Sequence, residues 1–272
     1  MLSKIMFAER TQSHDKGFRF RGKEPGRLEN FSDACFALAI TLLLISTSPP
    51  TSFEMVRRFV WELVPFAVCI MFIILIWYEH FLFYYRYGLR TGKVIVLNSL
   101  FIVIVLFYVY PLKFLTKLLL IPISMMFGAT ELRAEVMGMI KGTDVGELMI
   151  IYGLGAAATF FTMMFMYRVA LSKAKDLELN EIEVFDTKAS IRTNFLMGLI
   201  PLISVLMAII FKDNPFLSGT VPGFTYFLYT PVMWINGNKT QKRREKLLQQ
   251  QTEVPGENQE SHFSSSKAGE PI

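Results

Sequence analysis

Few residues in this chain have types and spacings that could do chemistry. Glu79 and His80 stand side by side, a pairing that invites a proton-relay or metal reading. The chain has only 3 histidines, His14, His80 and His262, and no paired ligand spacing accompanies them, which argues against a metal site. Gly153-Leu-Gly155-Ala-Ala-Ala158 spells a dinucleotide fingerprint, yet it lies inside an uncharged apolar run with no strand before it. Small residues that let helices pack closely are the better account. The 2 cysteines, Cys35 and Cys69, sit in apolar runs and offer no disulfide framework. No nucleophile elbow, phosphate loop or cysteine/histidine metal spacing is present, so neither an enzyme nor a cofactor is expected. What remains is a polar cluster, Arg27, Ser32 and Asp33, at the head of a run without charge from Ala34 to Phe53, followed further on by Trp77, His80 and Asn98. Its chemistry is hydrogen bonding in an apolar medium.

The elements that must position these side chains follow from composition. With 52% hydrophobic and 19% charged residues in 272, the chain is too apolar for an ordinary soluble domain. Uncharged runs occupy Ala34–Phe53, Leu63–Tyr78, Val94–Leu112, Leu148–Tyr167, Thr193–Phe211 and Asn214–Asn236. Each approaches the roughly 20 residues that cross a bilayer core. The expectation is an all-α multi-pass membrane protein with six transmembrane helices. Of the 28 Lys and Arg residues, 21 fall in the segments that six crossings place with the two termini and 7 on the other side, which makes both termini cytoplasmic. Basicity here reports orientation and contact with lipid head groups, and no nucleic-acid partner is expected. Residues 1–26 read as a mobile or loosely docked cytoplasmic arm without a signal peptide, 27–238 as the six-span domain, and 239–272 as a basic, then disordered, cytoplasmic tail.

On the first helix, Leu38, Thr41, Leu42 and Ile45 fall at i, i+3, i+4 and i+7 and form one stripe, while Asp33 projects from another side. Asn30 is placed to cap that helix, with Asp33 favouring its positive end. Pro49 and Pro50 end the span in an exterior turn. The second span begins near Phe53 and extends past His80, and Asn98 lies one turn inside the third, at a level where it can meet His80. Polar groups inside a bundle need internal partners, so Arg27, Ser32 and Asp33 are expected to join Trp77, His80 and Asn98 in one network. Lys113 and Lys117 mark a helix leaving the bilayer or lying at its outer surface, ahead of an exterior segment up to Glu147. Pro201, Pro222 and Pro231 imply irregular fifth and sixth spans whose freed carbonyls need neighbours.

The spelling Arg27-x-x-x-Phe31-Ser32-Asp33 at the mouth of a first span, followed by Trp77-x-x-His80 and Asn98, resembles the signature of the transmembrane protein 175 family of potassium channels. It is readable through the first three spans, roughly to Pro111. The resemblance implies a single-repeat prokaryotic channel in the cell (plasma) membrane. Its subunits would assemble as a homotetramer around the first helix, with the polar network fixing that helix. It further implies that Leu38 and Ile45 match the family's apolar constriction, with Thr41 between them. The function expected is a potassium-selective, leak-type channel with a hydrophobic constriction, binding no metal beyond permeating ions. The competing class is a secondary ion or small-solute transporter built on the broken fifth and sixth spans.

Overall fold

The computed structural model of the protein describes residues 17–45, 51–126 and 144–265. The expected turn at Pro49 and Pro50, most of the exterior segment before Glu147, the first sixteen residues and the last seven lie outside the described residues. The helices are α1 (Arg27–Ile45), α2 (Phe53–Tyr87), α3 (Gly92–Met126), α4 (Asp144–Ser172), α5 (Glu181–Ile210), α6 (Pro215–Thr225) and, after a 3₁₀ turn at Tyr226–Leu228, α7 (Tyr229–Ser265). Among the described residues, five segments are long and apolar enough to cross a membrane: Arg27–Ile45, Leu63–Tyr87, Gly92–Val109, Asp144–Ser172 and Glu181–Ile210.

Helix ends are set by local chemistry. Ser52 caps α2 by accepting from the Met55 amide at 3.3 Å, and Gly88 closes it in the left-handed conformation at φ 57°, its N–H donating to the Tyr84 carbonyl. At 35 residues, α2 is about 52 Å long by its rise per residue, well beyond a hydrocarbon core of about 30 Å, so its ends stand clear of it. Asn180 and Glu183 form a reciprocal capping box at the start of α5. The start of α1 differs from expectation. The helix begins at Arg27, Asn30 is already inside it, and Glu29 reaches back to accept from the Gly26 amide. A carboxylate at the third helical position therefore does the capping.

Packing follows the residues that let backbones and polar groups meet, because an apolar side chain gains little by leaving lipid for a protein interior. One core joins Phe36, Ala39 and Leu43 of α1 to Cys69, Ile73 and Phe83 of α2, Phe101 and Val105 of α3, and Met166 and Tyr167 of α4. Gly153 of α4 sits where a Cβ would lie 3.0 Å from the Pro201 carbonyl and 2.5 Å from Val205, and one at Gly155 would strike the Tyr108 ring at 2.3 Å. The fingerprint spelling is thus a close contact between α4, α5 and α3.

The run Asn214–Asn236 does not form one continuous helix. The run is divided among α6, the 3₁₀ turn and the start of α7, where Pro222 and Pro231 remove amide donors. The segment nonetheless runs back along α5: Ser204 Oγ donates to the Pro222 carbonyl at 3.1 Å, Tyr229 Oη to the Met197 carbonyl at 2.8 Å, and Asn236 Nδ2 to Thr193 Oγ1 at 2.9 Å. Pro201 has no N–H to offer the carbonyl four residues earlier, that of Met197, and the Tyr229 hydroxyl takes its place. Beyond Asn236, α7 continues to Ser265. A Lys-, Glu-, Gln- and Leu-rich stretch propagates a helix already nucleated at far smaller cost than it would start one.

The arm is docked as well. Arg21 donates through both terminal nitrogens to the buried Glu183 carboxylate, at 3.0 and 2.8 Å, and the Arg19 amide adds a third bond to it at 2.7 Å. Gly22 lies so close to the end of α2 that a Cβ would stand 2.0 Å from the Tyr84 carbonyl, and its amide donates to the Tyr85 carbonyl at 3.1 Å. Phe18 packs edge-on against Tyr87 with centroids 5.8 Å apart. Residues 17–26 therefore form a strap joining the end of α2 to the start of α5.

Candidate functional site

The polar residues of the first three helices meet at one point. Ser32 Oγ donates to the Leu28 carbonyl four residues back, at 2.9 Å, and accepts from Asn98 Nδ2 at 2.9 Å. Asn98 Oδ1 lies 2.6 Å from His80 Nε2. With the amide nitrogen spent on Ser32, Oδ1 is an acceptor, so His80 carries its proton on Nε2. Donation then runs one way, from α2 through α3 to α1. All three side chains are buried to within 1% exposure, and the His80 ring stacks on Phe101 with centroids 5.3 Å apart and planes 9° from parallel. Neighbouring Glu79 is exposed and takes no part in this row.

A second tie lies at the surface, where Trp77 Nε1 donates to Asp33 Oδ1 at 2.8 Å. Arg27, expected in the network, is exposed and makes no hydrogen bond or ion pair with a described residue, and Phe31, part of the same spelling, is exposed as well. Two residues that the sequence reading missed are present beside the network. Glu29 is buried and lies 3.4 Å from Arg90 Nε, and Arg90 also donates to the Glu24 carbonyl. The signal that could have found Glu29 was its place three residues after Gly26.

These bonds lie on one side of α1. Its buried residues, Glu29, Ser32, Phe36, Ala39 and Leu43, repeat every three or four positions and face α2 and α3. At about 100° per residue, Leu38, Thr41, Leu42 and Ile45 lie on the opposite side. All four are exposed, Leu38 at 50%, Leu42 at 44% and Ile45 at 70%. Thr41 Oγ1 donates to the Ala37 carbonyl at 2.9 Å. Its proton is committed to its own helix, and its lone pairs are what it presents outward.

Comparison with known proteins places this arrangement. A family profile described as "Endosomal/lysosomal potassium channel TMEM175" matches residues 27–108, the stretch that holds Ser32, His80 and Asn98. A curated relative from Marivirga tractuosa, described as a potassium channel, is 42% identical over 232 residues, covering 85% of this chain and 94% of the relative. The chain belongs to the TMEM175 family of potassium channels. Among solved structures, the crystal structure of a variant of the potassium channel MtTMEM175, in complex with a nanobody fusion protein, matches with a TM-score of 0.75 and 42% identity. That match spans 83% of this chain and 97% of the other.

Proposed function

We propose that the protein conducts potassium ions through an axial path lined by α1 from several copies of the chain. The observation that carries this reading is the uncovered stripe of Leu38, Thr41, Leu42 and Ile45 on the side of α1 turned away from its own bundle. One helix cannot enclose a pathway, and closed rotational symmetry supplies the others. The single Phe31-Ser32-Asp33 repeat makes four copies the assembly the family resemblance implies. In this reading six passes, the last made by the broken helix α6 and the start of α7, put both termini in the cytoplasm of a cell membrane. The carbonyl that Pro201 frees in α5 is taken up by Tyr229, and the Pro222 carbonyl in the last turn of α6 by Ser204 and Thr225, which supports the break as a packing feature over a midplane ligand site.

Selectivity arises from hydration. A narrow ring of branched apolar side chains at Leu38 and Ile45 cannot replace an ion's water, and the same ring closes by dewetting. Potassium, larger than sodium at equal charge, sheds water more readily and crosses with the smaller penalty. Thr41 oxygens, presenting lone pairs beside the leucine layer, supply acceptors where water is stripped. Ser32, Asn98 and His80 hold α1 in the rotation that this requires, and Asp33 with Trp77 secures its mouth. Reversal potentials under potassium and sodium gradients test the reading. Thr41→Val and Leu38→Ala are expected to move the reversal potential towards that of an unselective pore; unchanged selectivity in both would refute the stripe as the filter.

A further inference from the structure

At the end of the bundle where the strap docks, an open surface groove of about 600 Å³ runs between the first turns of α3 and the last turns of α4. Val96, Leu97, Phe165 and Val169 wall it, and Lys93 and Arg168 stand at its mouth. No carboxylate lines it. Neither cation forms an ion pair with a described residue, and Arg168 is held over the Phe165 ring at 5.7 Å, which keeps its guanidinium at the groove. Gly92 adds open space on the α3 side, where a Cβ would meet nothing within 4 Å. The first turn of α3 contains no acidic residue, so its unpaired amides add to the positive field.

We propose that this groove binds an anionic phospholipid from the leaflet on the strap side. Charge and depth select the occupant. Lys93 is the second residue of α3 and Arg168 lies one turn before the end of α4, so both stand at the head-group level while the walls below them face acyl chains. A zwitterionic lipid would bring an ammonium beside two cations. A soluble anion would use the cations and leave the walls uncovered.

Native mass spectrometry of the full-length protein, released from mixed phosphatidylglycerol and phosphatidylcholine, reads the bound lipid directly. Retained phosphatidylglycerol is expected to fall about fivefold for Lys93→Gln or Arg168→Gln alone and about 25-fold for the pair, since one cation at the surface is worth about that factor. Val96→Trp, which obstructs part of the groove and keeps both cations, is expected to lower retention as well. Removing two exposed cations of the same end with Lys173→Gln and Lys175→Gln should leave it unchanged. Full retention in the Lys93/Arg168 pair overturns the proposal. So does an equal loss in the Lys173/Lys175 control, which would mean general surface attraction. Displacement by soluble glycerol phosphate would mark a free-anion site, and lost subunit association in Val96→Trp would mark an interface between copies.

Discussion

Asn98 is the residue on which the polar row turns, because it both receives from His80 and gives to Ser32. Replacing it with leucine leaves two buried polar groups on different helices without their partner. Interhelical hydrogen bonds in membrane bundles average about 0.6 kcal/mol and reach about 1.7, and this one couples three helices. Asn98→Leu is therefore expected to lower stability by about 1.5 kcal/mol in denaturant titrations of the detergent-solubilised protein. Asp33→Ala, which removes one exposed bond to Trp77, is expected to cost a few tenths of that. Equal effects would mean that burial does not set the value of these bonds. At this scale the sequence was informative where residue type conflicts with its surroundings: Asn98 is a polar side chain inside an apolar run, Ser32 and His80 stand at the edges of two others, and the three meet. Arg27 lies in the same spelling but at the helix mouth, where it is exposed and bonds to no described residue.

Between helices, the exchange of a backbone donor for a side-chain donor at Met197 gives a non-additive pair. Tyr229→Phe should cost about 1 kcal/mol by leaving that carbonyl unpaired. In a Pro201→Ala background the restored amide can reach the same carbonyl, and the cost of Tyr229→Phe is expected to fall by more than half. A double-mutant cycle on unfolding midpoints measures the difference, and strict additivity would show that the hydroxyl does not replace the missing amide. The prolines were legible as a demand for donors, but Tyr229 could not be named as the donor, since it lies 32 residues from the carbonyl it serves. The same limit hid the strap. Residues 17–26 have no hydrophobic period, and their anchor Glu183 is 162 residues from Arg21. A Gly-rich, charged stretch reads as loose unless its distant partner is known. Gly22 signals the opposite once Tyr84 is beside it. Gly22→Ala is expected to undock the strap, raising the rate of tryptic cleavage at Arg19 and Arg21, because the backbone must move to admit a methyl group.

For the molecule as a whole, both chain directions converge on one end. There the strap holds α2 and α5, Arg244 of α7 pairs with Asp186 of α5 at 3.0 Å, and α3 and α4 open the groove between Lys93 and Arg168. Glu183, at this end, is fully buried and accepts from Arg21, the Arg19 amide and the Asn180 amide. Removing its charge leaves Arg21 beside a neutral group, and loss of one partner of a buried pair costs about 3 kcal/mol. Glu183→Gln is expected to raise the open fraction of the strap, and with it cleavage at Arg21, on the order of a hundredfold, with no change in the subunit count by light scattering. Unchanged cleavage would show that the aromatic contacts of Phe18 and Phe20 hold the strap alone. The family was legible from the first three helices because their polar residues carry its signature. The uncharged stretches of the later helices, Leu148–Tyr167, Thr193–Phe211 and Asn214–Asn236, are interrupted chiefly by Gly and Pro, and such runs resemble those of many membrane proteins; the relative's match over 85% of the chain extends the likeness to them.

The row His80, Asn98, Ser32 ends on the carbonyl of Leu28. A Grotthuss wire needs every member to take up a hydrogen on one side and release one on the other, and a peptide oxygen has none to release. The buried row is thus a dead end for protons: it can hold a helix at a set angle without short-circuiting the membrane it stands in.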